Sequence, residues 1–267
     1  MEYENLTCER TDELLMVTLN RPTKLNSLSL GLLQDLRHCA EALQRDRTLR
    51  AVLLTGAGRG FCAGADLTDA SSLPGPGQTM GQFLASRLRG EYNVVATLWC
   101  NLPVPFVVAL NGVAAGAGAA LALMGDVTVA ARSASLTYLF APKLGLVPDM
   151  GATHFLARRV GEARARYYAM TGAPIDAETA ARIGLVAECV DDDQLLVRST
   201  ALARELAAAP REALIAVRRL MADACTSTLA AQLEGEAVAQ ARLGDTADFL
   251  EGVAAFRQKR PPRFGGR

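Results

Sequence analysis

The sequence predicts an α/β protein: a core of alternating strands and helices followed by a helical C-terminal subdomain. Three observations predict it. Residues 51–55 (AVLLT) and 105–110 (PFVVAL) are almost continuously apolar, as in strands of a sheet covered on both faces. Between and beyond such runs the spacing of apolar residues turns helical. From Asp149 to the end the pattern is almost entirely helical, and strand–helix alternation with a helical tail suggests a layered core with an appended helical unit. Residues 1–190 are expected to form the core and 191–267 the C-terminal subdomain, with a hinge near 172–187.

Taken in order, residues 14–19 (LLMVTL) form a strand that Asn20, Arg21 and Pro22 terminate. Ser29 is an N-cap, and the helix after it runs to about Arg45 with Leu32, Leu33, Leu36 and Leu43 on one face. The strand at 51–55 leads into a glycine-rich loop at 56–66. Residues 71–77 (SSLPGPG) read as a mobile loop and 78–100 as one long helix. The strand at 105–110 ends in the turn Asn111-Gly112 and a small-residue stretch at 113–120. A strand at 127–131 comes next, then helices near 150–160, 162–171, 176–182, 193–208, 210–225, 229–243 and 246–257. No fixed-period repeat is present.

The chain of 267 residues is half hydrophobic, enough for a sizeable core. Lys+Arg and Asp+Glu both number 28, so no bulk field draws it to nucleic acid or an acidic membrane. An anionic ligand must meet a local basic site, and only Lys24, Lys143 and Lys259 are lysines. The six cysteines form no C-x-x-C pair and there are two histidines, His38 and His154; no metal site is expected. The N-terminus is polar and acidic, unlike a targeting peptide. Pro105, Asn111 and several glycines interrupt the apolar run 104–124, so it reads as strand, loop and buried helix rather than a membrane span. The expected location is cytoplasmic.

Two turns carry the candidate chemistry. One is Gly58-Arg59-Gly60-Phe61-Cys62-Ala63-Gly64-Ala65-Asp66-Leu67; the other is Asn111-Gly112-Val113-Ala114-Ala115-Gly116-Ala117-Gly118. Each comes after a buried strand, and the second opens a helix. Small residues leave backbone N–H groups uncovered, and two such donors converging on one point form an oxyanion hole. Either turn alone is better explained by tight turning and close packing.

Together they are more specific. F-C-A-G-A-D-L followed by P-x-P-x-x-x-A-x-N-G-x-A-A-G-x-G resembles the enoyl-CoA hydratase/isomerase (crotonase) family. So do Asn20-Arg21-Pro22 with Asn26-Ser27, Gly145-Leu146-Val147-Pro148-Asp149, and the C-terminal segments 251–256 and 259–264. The resemblance implies a crotonase-like spiral of ββα turns and a homotrimer or hexamer. It implies an acyl-CoA thioester as substrate, with coenzyme A present as part of it and no permanently bound cofactor. The thioester oxygen would lie between the N–H groups of Ala65 and Ala117. Lys24, Arg59 and Lys259 are candidates for the coenzyme A phosphates, each also readable as plain surface charge. Backbone groups of Ala63, Gly64, Asp66 and Leu67 would meet the adenine and pantetheine.

Typical hydratases of the family carry two glutamates, and the matching positions here are Ala120 and Ala141. One acid remains, Asp149, whose position resembles that of the catalytic carboxylate in members that shift double bonds. Those include some Δ3,Δ2-enoyl-CoA isomerases and the ring-epoxide isomerase of phenylacetyl-CoA breakdown. The resemblance therefore implies an isomerase moving a proton through Asp149, in a dry pocket lined by Leu139, Phe140, Ala141 and Pro142. The alternatives are a hydratase with atypical acid/base residues or a non-catalytic acyl-CoA-binding subunit. A plainer role for Asp149 is the N-cap of the next helix. Asp66 and Asp126 read as structural side chains, Trp99 as core, His154 as a packed or partly exposed residue, and Glu91 as part of a solvated helix face.

Overall fold

The structure is a computed structural model and describes residues 2–69 and 73–265. Residues 71 and 72 of the expected mobile loop, and the final Gly266 and Arg267, lie outside the described residues.

Strand β1 (Leu6–Thr11) pairs antiparallel with β2 (Leu14–Leu19) through a tight turn at Asp12, whose φ is 54°. Only β2 is readable from sequence, because β1 (LTCERT) buries little besides Leu6. Helix α1 (Leu30–Arg45) starts where Ser29 accepts a hydrogen bond from the Leu32 N–H at 3.2 Å. Leu32, Leu33, Leu36 and Leu43 are buried on its inner face, each contributing about 2 kcal/mol of transfer free energy.

The centre of the chain is a spiral. Strand β3 (Ala51–Gly56) is followed by β4 (Gly60–Cys62), β5 (Phe106–Leu110) by β6 (Val113–Ala115), and β7 (Val127–Ala131) by β8 (Ser135–Thr137). The first of each pair joins a six-stranded sheet ordered β1-β2-β3-β5-β7-β10, where β10 is Glu188–Val190. The second joins a four-stranded sheet ordered β4-β6-β8-β9, where β9 is Ile175–Asp176. Each chain turn thus lays one strand in each sheet before a helical segment, which is the expected ββα spiral. Apart from those of β1 and β9, the pairings are parallel.

The long helix expected at 78–100 is one run with a fault in it. Helix α2 (Met80–Arg87) opens on a capping box of Thr79 and Gln82, a π turn covers Leu88–Tyr92, and α3 (Asn93–Cys100) completes it. Helix α4 (Ala117–Ala122) is short and wholly buried. Helices α5 (Ala152–Val160), α6 (Glu162–Thr171) and α7 (Ala177–Arg182) come next. The expected hinge at 172–187 is instead tied into the body: β9 pairs with β8, and β10 beyond α7 pairs with β7.

Helix α8 (Leu195–Ala208) packs across β2, β3, β5 and β7. It therefore covers the main sheet, although it begins the segment read as the C-terminal subdomain. Helices α9 (Arg211–Asp223), α10 (Leu229–Gly244) and α11 (Ala247–Gln258) pack in sequence on one another. Arg218 anchors α9 to the body, donating to the carbonyls of Leu102 and Val104 and pairing with Asp126. No helix among the described residues is long and apolar enough to cross a membrane.

Candidate active site

The two small-residue turns meet because their strands are neighbours. Strands β4 and β6 pair parallel with Cys62 opposite Ala114, so Ala65 and Ala117 each lie three residues beyond a paired position. Glycine makes the approach possible. A Cβ on Gly64 (φ +91°) would lie 2.6 Å from the Ala115 carbonyl oxygen and 3.6 Å from the Ala117 nitrogen. A Cβ on Gly118 would lie 2.1 Å from the Cys62 carbonyl oxygen, far inside contact distance.

Both N–H groups are left free of the chain. Leu28 donates to the Gly64 carbonyl at 2.7 Å and accepts from the Asp66 N–H at 3.1 Å. In such a parallel bridge the intervening residue turns its own polar groups away, which releases the Ala65 N–H. Ala117 is the first residue of α4 and has no intrahelical acceptor. It comes after Gly116, whose φ of 55° and ψ of −124° suit glycine. Among the described residues neither N–H donates to a protein acceptor. Ala65 is exposed, whereas Ala117 is 1% exposed, so an oxygen held there is shielded on one side.

Asp149 enters from the segment leading into α5, the helix that packs against α4. It does not cap that helix. Gly151 occupies the N-cap with no side-chain cap bond, and only the Asp149 backbone carbonyl accepts, from the Ala152 N–H at 2.9 Å. Met150 (φ 53°) and Gly151 (φ 83°) are both left-handed; this kink takes the carboxylate off the helix end. The Oδ1 of Asp149 is buried with no hydrogen-bond partner. Burial pushes the carboxyl up to about 6, with only its own backbone N–H opposing.

Phe140 and Tyr92 are further groups at the site. Phe140 is buried at the start of a π turn (Phe140–Leu144), and its ring lies 3.4 Å from where a Gly116 Cβ would stand. Leu139 and Pro142, expected beside it in the pocket wall, each have a side-chain atom near Gly172, and Ala141 is exposed. Tyr92 ends the other π turn, is 8% exposed, and is pushed up to about 12 by burial first and by the charge of Asp149 second. It was not among the sequence candidates: the π turn shifts the helical register, so regular spacing misplaces it.

The expected coenzyme A contacts are dispersed. Lys24 is exposed and, with Arg21, Ser29, Asp66 and Thr68, lines a polar cleft of about 490 Å³ beside the first donor turn. Arg59 is exposed, and its carbonyl oxygen lies 2.2 Å from a Cβ built on Gly112, so its backbone helps seat the second turn. Ala63 is half-buried and donates to the Leu25 carbonyl at 2.9 Å, Gly64 is buried, and Leu67 is 71% exposed. Lys259 lies elsewhere, exposed at the left-handed C-cap of α11.

The Asp66 carboxylate is buried and committed to structure. It pairs with Arg21 at 2.9 Å and accepts from the Thr68 hydroxyl at 2.7 Å. Burial raises its pKa, but Thr68 and Arg21 outweigh that and hold it at about 2. Asp126 accepts from the Phe106 N–H at 2.8 Å. The Trp99 indole is fully buried and donates to the Leu36 carbonyl at 3.0 Å. His154 is exposed and lies edge-on to Phe155, and Glu91 is half-buried.

The family model for enoyl-CoA hydratase/isomerase matches residues 9–267. The chain is 44% identical to a 1,2-epoxyphenylacetyl-CoA isomerase of Escherichia coli over 254 residues, covering 95% of each protein. It is 42% identical to a protein of Rhodobacter capsulatus named a probable enoyl-CoA hydratase, over the full length of both. Among solved structures it resembles an enoyl-CoA hydratase from Bacillus anthracis with a TM-score of 0.90 and 32% identity, over 99% of this chain and 100% of that one.

Proposed function

Since the chain belongs to the enoyl-CoA hydratase/isomerase family, whose members act on acyl-CoA thioesters, we propose that it is an enoyl-CoA isomerase working through Asp149. The observation that carries this reading is the buried, unpartnered oxygen of Asp149, in a chain with alanine at 120 and 141. A carboxylate raised to about 6 is a stronger base than an ordinary one and is still ionised at neutral pH.

The thioester oxygen sits between the N–H groups of Ala65 and Ala117. Asp149 takes the proton from C2, and the electrons of the broken C–H bond move toward the carbonyl oxygen to form the enolate. Each donor stabilises that charge by about 3–4 kcal/mol, by analogy with other oxyanion holes. The enolate then collapses: the carbonyl reforms, a C2–C3 double bond appears, and the former C3–C4 double bond takes the proton from Asp149 at C4. The carboxylate is regenerated and no water is consumed.

Coenzyme A is here a part of the substrate, and the enzyme needs no resident cofactor. Lys24 and Arg59 contact its phosphates, the backbone from Ala63 to Leu67 its adenine and pantetheine, and Lys259 the ligand of a neighbouring subunit in a homotrimer or hexamer.

Absorbance of the conjugated thioester tests the reaction. The isomerase makes the chromophore from a 3-enoyl-CoA; a hydratase destroys it in a 2-enoyl-CoA. Efficient loss of absorbance from 2-enoyl-CoA, with no gain from 3-enoyl-CoA, would assign the chain to hydration instead. Binding of both esters with no turnover would make it a non-catalytic subunit.

A further inference from the structure

We propose that Met150 is the positioning residue for Asp149: its buried side chain pins a left-handed turn that keeps the carboxylate off the end of α5 and so leaves it free to act as the base. What this is worth to catalysis rests on the isomerase reading; the hold on the carboxylate does not.

The segment that carries Asp149 is anchored at its two ends. Phe140 is buried, residues 141–147 are all exposed, and Pro148 and Asp149 are half-buried. Met150 is 1% exposed and belongs to the core. It is thus the first buried side chain after Phe140, and it adjoins the acid. Here the chain makes a tight turn, Asp149-Met150-Gly151-Ala152, closed by the Ala152 N–H donating to the Asp149 carbonyl at 2.9 Å. Both central residues are left-handed, with φ of 53° and 83°, as in a type I′ turn. Such turns favour glycine, asparagine or aspartate at those positions, because a larger side chain crowds its own backbone there. Gly151 obeys the rule, and a Cβ on it would lie 2.8 Å from the Phe155 ring. Met150 breaks it.

A residue held against its backbone preference needs surroundings that hold it. For Met150 these are the core contacts of a long apolar side chain, which reversing φ would swing out of its site. The right-handed alternative is a plain one. Met150 and Gly151 would then extend α5 at its start, and Asp149 would become its N-cap, the carboxylate accepting from the N–H of Gly151 or Ala152. Asp149 Oδ1, buried without a partner in the observed turn, would gain one. A carboxylate bonded to backbone N–H groups is a weaker base. Met150 therefore withholds the cap that Pro148-Asp149 would otherwise make. Glycine at this position would adopt either conformation and decide nothing; the anchored methionine selects the one that spends no acceptor on the helix.

The experiment compares wild type with Met150→Val and Met150→Leu. Valine keeps an apolar side chain, but its β-branch makes the left-handed conformation costlier. Leucine nearly conserves the volume and has no branch at Cβ. Two quantities are read: the midpoint of the Asp149 titration, from the carbon resonance of its labelled carboxyl, and kcat and KM for a 3-enoyl-CoA. Met150→Val should move the midpoint from about 6 toward the ordinary 3.8. It should also lower kcat about 10- to 100-fold with little change in KM. Met150→Leu should match wild type in both. Met150→Ala removes the anchor instead of stiffening the turn; it should behave as the valine variant does, and replaces it if that variant does not fold. An unmoved midpoint would overturn the role of Met150 whatever happens to the rate, and so would a leucine variant that loses as much as the valine one. A wild type that isomerises no 3-enoyl-CoA would bring down the isomerase reading alone, since the titration still decides whether Met150 holds the carboxylate.

Discussion

Asp149 concentrates the proposed chemistry at the scale of one residue. Its folded-state pKa of about 6, against an ordinary 3.8, comes from burial, and it has a thermodynamic consequence. Between those values the folded protein holds the proton while the unfolded chain has released it. The contribution of this one group to stability therefore falls as pH rises through about 4 to 6 and levels off above. A shift of this size corresponds to roughly 2–3 kcal/mol at neutral pH. Asp149→Asn, being neutral throughout, should match wild type in denaturant titrations near pH 4 and exceed it by about that amount at pH 7. A variant less stable than wild type at pH 7 would mean the carboxylate is supported in the fold rather than held against its preference. The position of this acid was legible in the sequence. Its unpartnered state was not, because on the residues alone a helix cap is the better reading of Pro148-Asp149, and only the family resemblance favours catalysis. The cap failed through backbone geometry: left-handed Met150 and Gly151 separate the carboxylate from the helix it precedes.

Elements decide whether the two donors converge. Gly118 lies against the Cys62 carbonyl so closely that a Cβ there would stand 2.1 Å from it. Gly118→Ala should push α4 off β4, lowering stability by about 3 kcal/mol or more in chemical denaturation and separating the Ala65 and Ala117 amides. Normal stability with normal turnover would show that the turns need no such contact. The longer strands and nearly every helix of the second half were readable, since caps such as Ser29 and runs such as residues 127–131 are local signals. Strands β4, β6 and β8 were not. Three residues are too few to show alternation, and they form only because the spiral stacks them on one another. The π turn before Tyr92 was equally hidden, since it interrupts a pattern that otherwise reads as one helix.

Across the whole molecule, the described C-terminal helices expose apolar surface. Met221, Val238, Phe249 and Leu250 are exposed, and Phe256 is 86% exposed. Helices α9 to α11 frame an apolar groove of about 900 Å³. Patches of this kind mark association surfaces. The expected assembly is three chains or a multiple, measurable by sedimentation equilibrium. Phe249→Asp combined with Phe256→Asp should shift it toward the single chain while leaving the far-ultraviolet circular dichroism of the core in place. A wild-type chain sedimenting as a monomer would contradict the trimer and leave these helices unexplained. Symmetry of this sort is not legible in a single sequence; only the family resemblance implies it.

Catalysis through Asp149 is tested most directly by the initial rate of conjugated thioester formation from a 3-enoyl-CoA, measured for wild type and Asp149→Asn across pH. The proposed mechanism predicts a wild-type kcat/KM that rises with pH through a pKa near 6 and falls by about 10²- to 10⁴-fold on substitution. A rate that survives the loss of the carboxylate, or that shows no titration in that range, would contradict it.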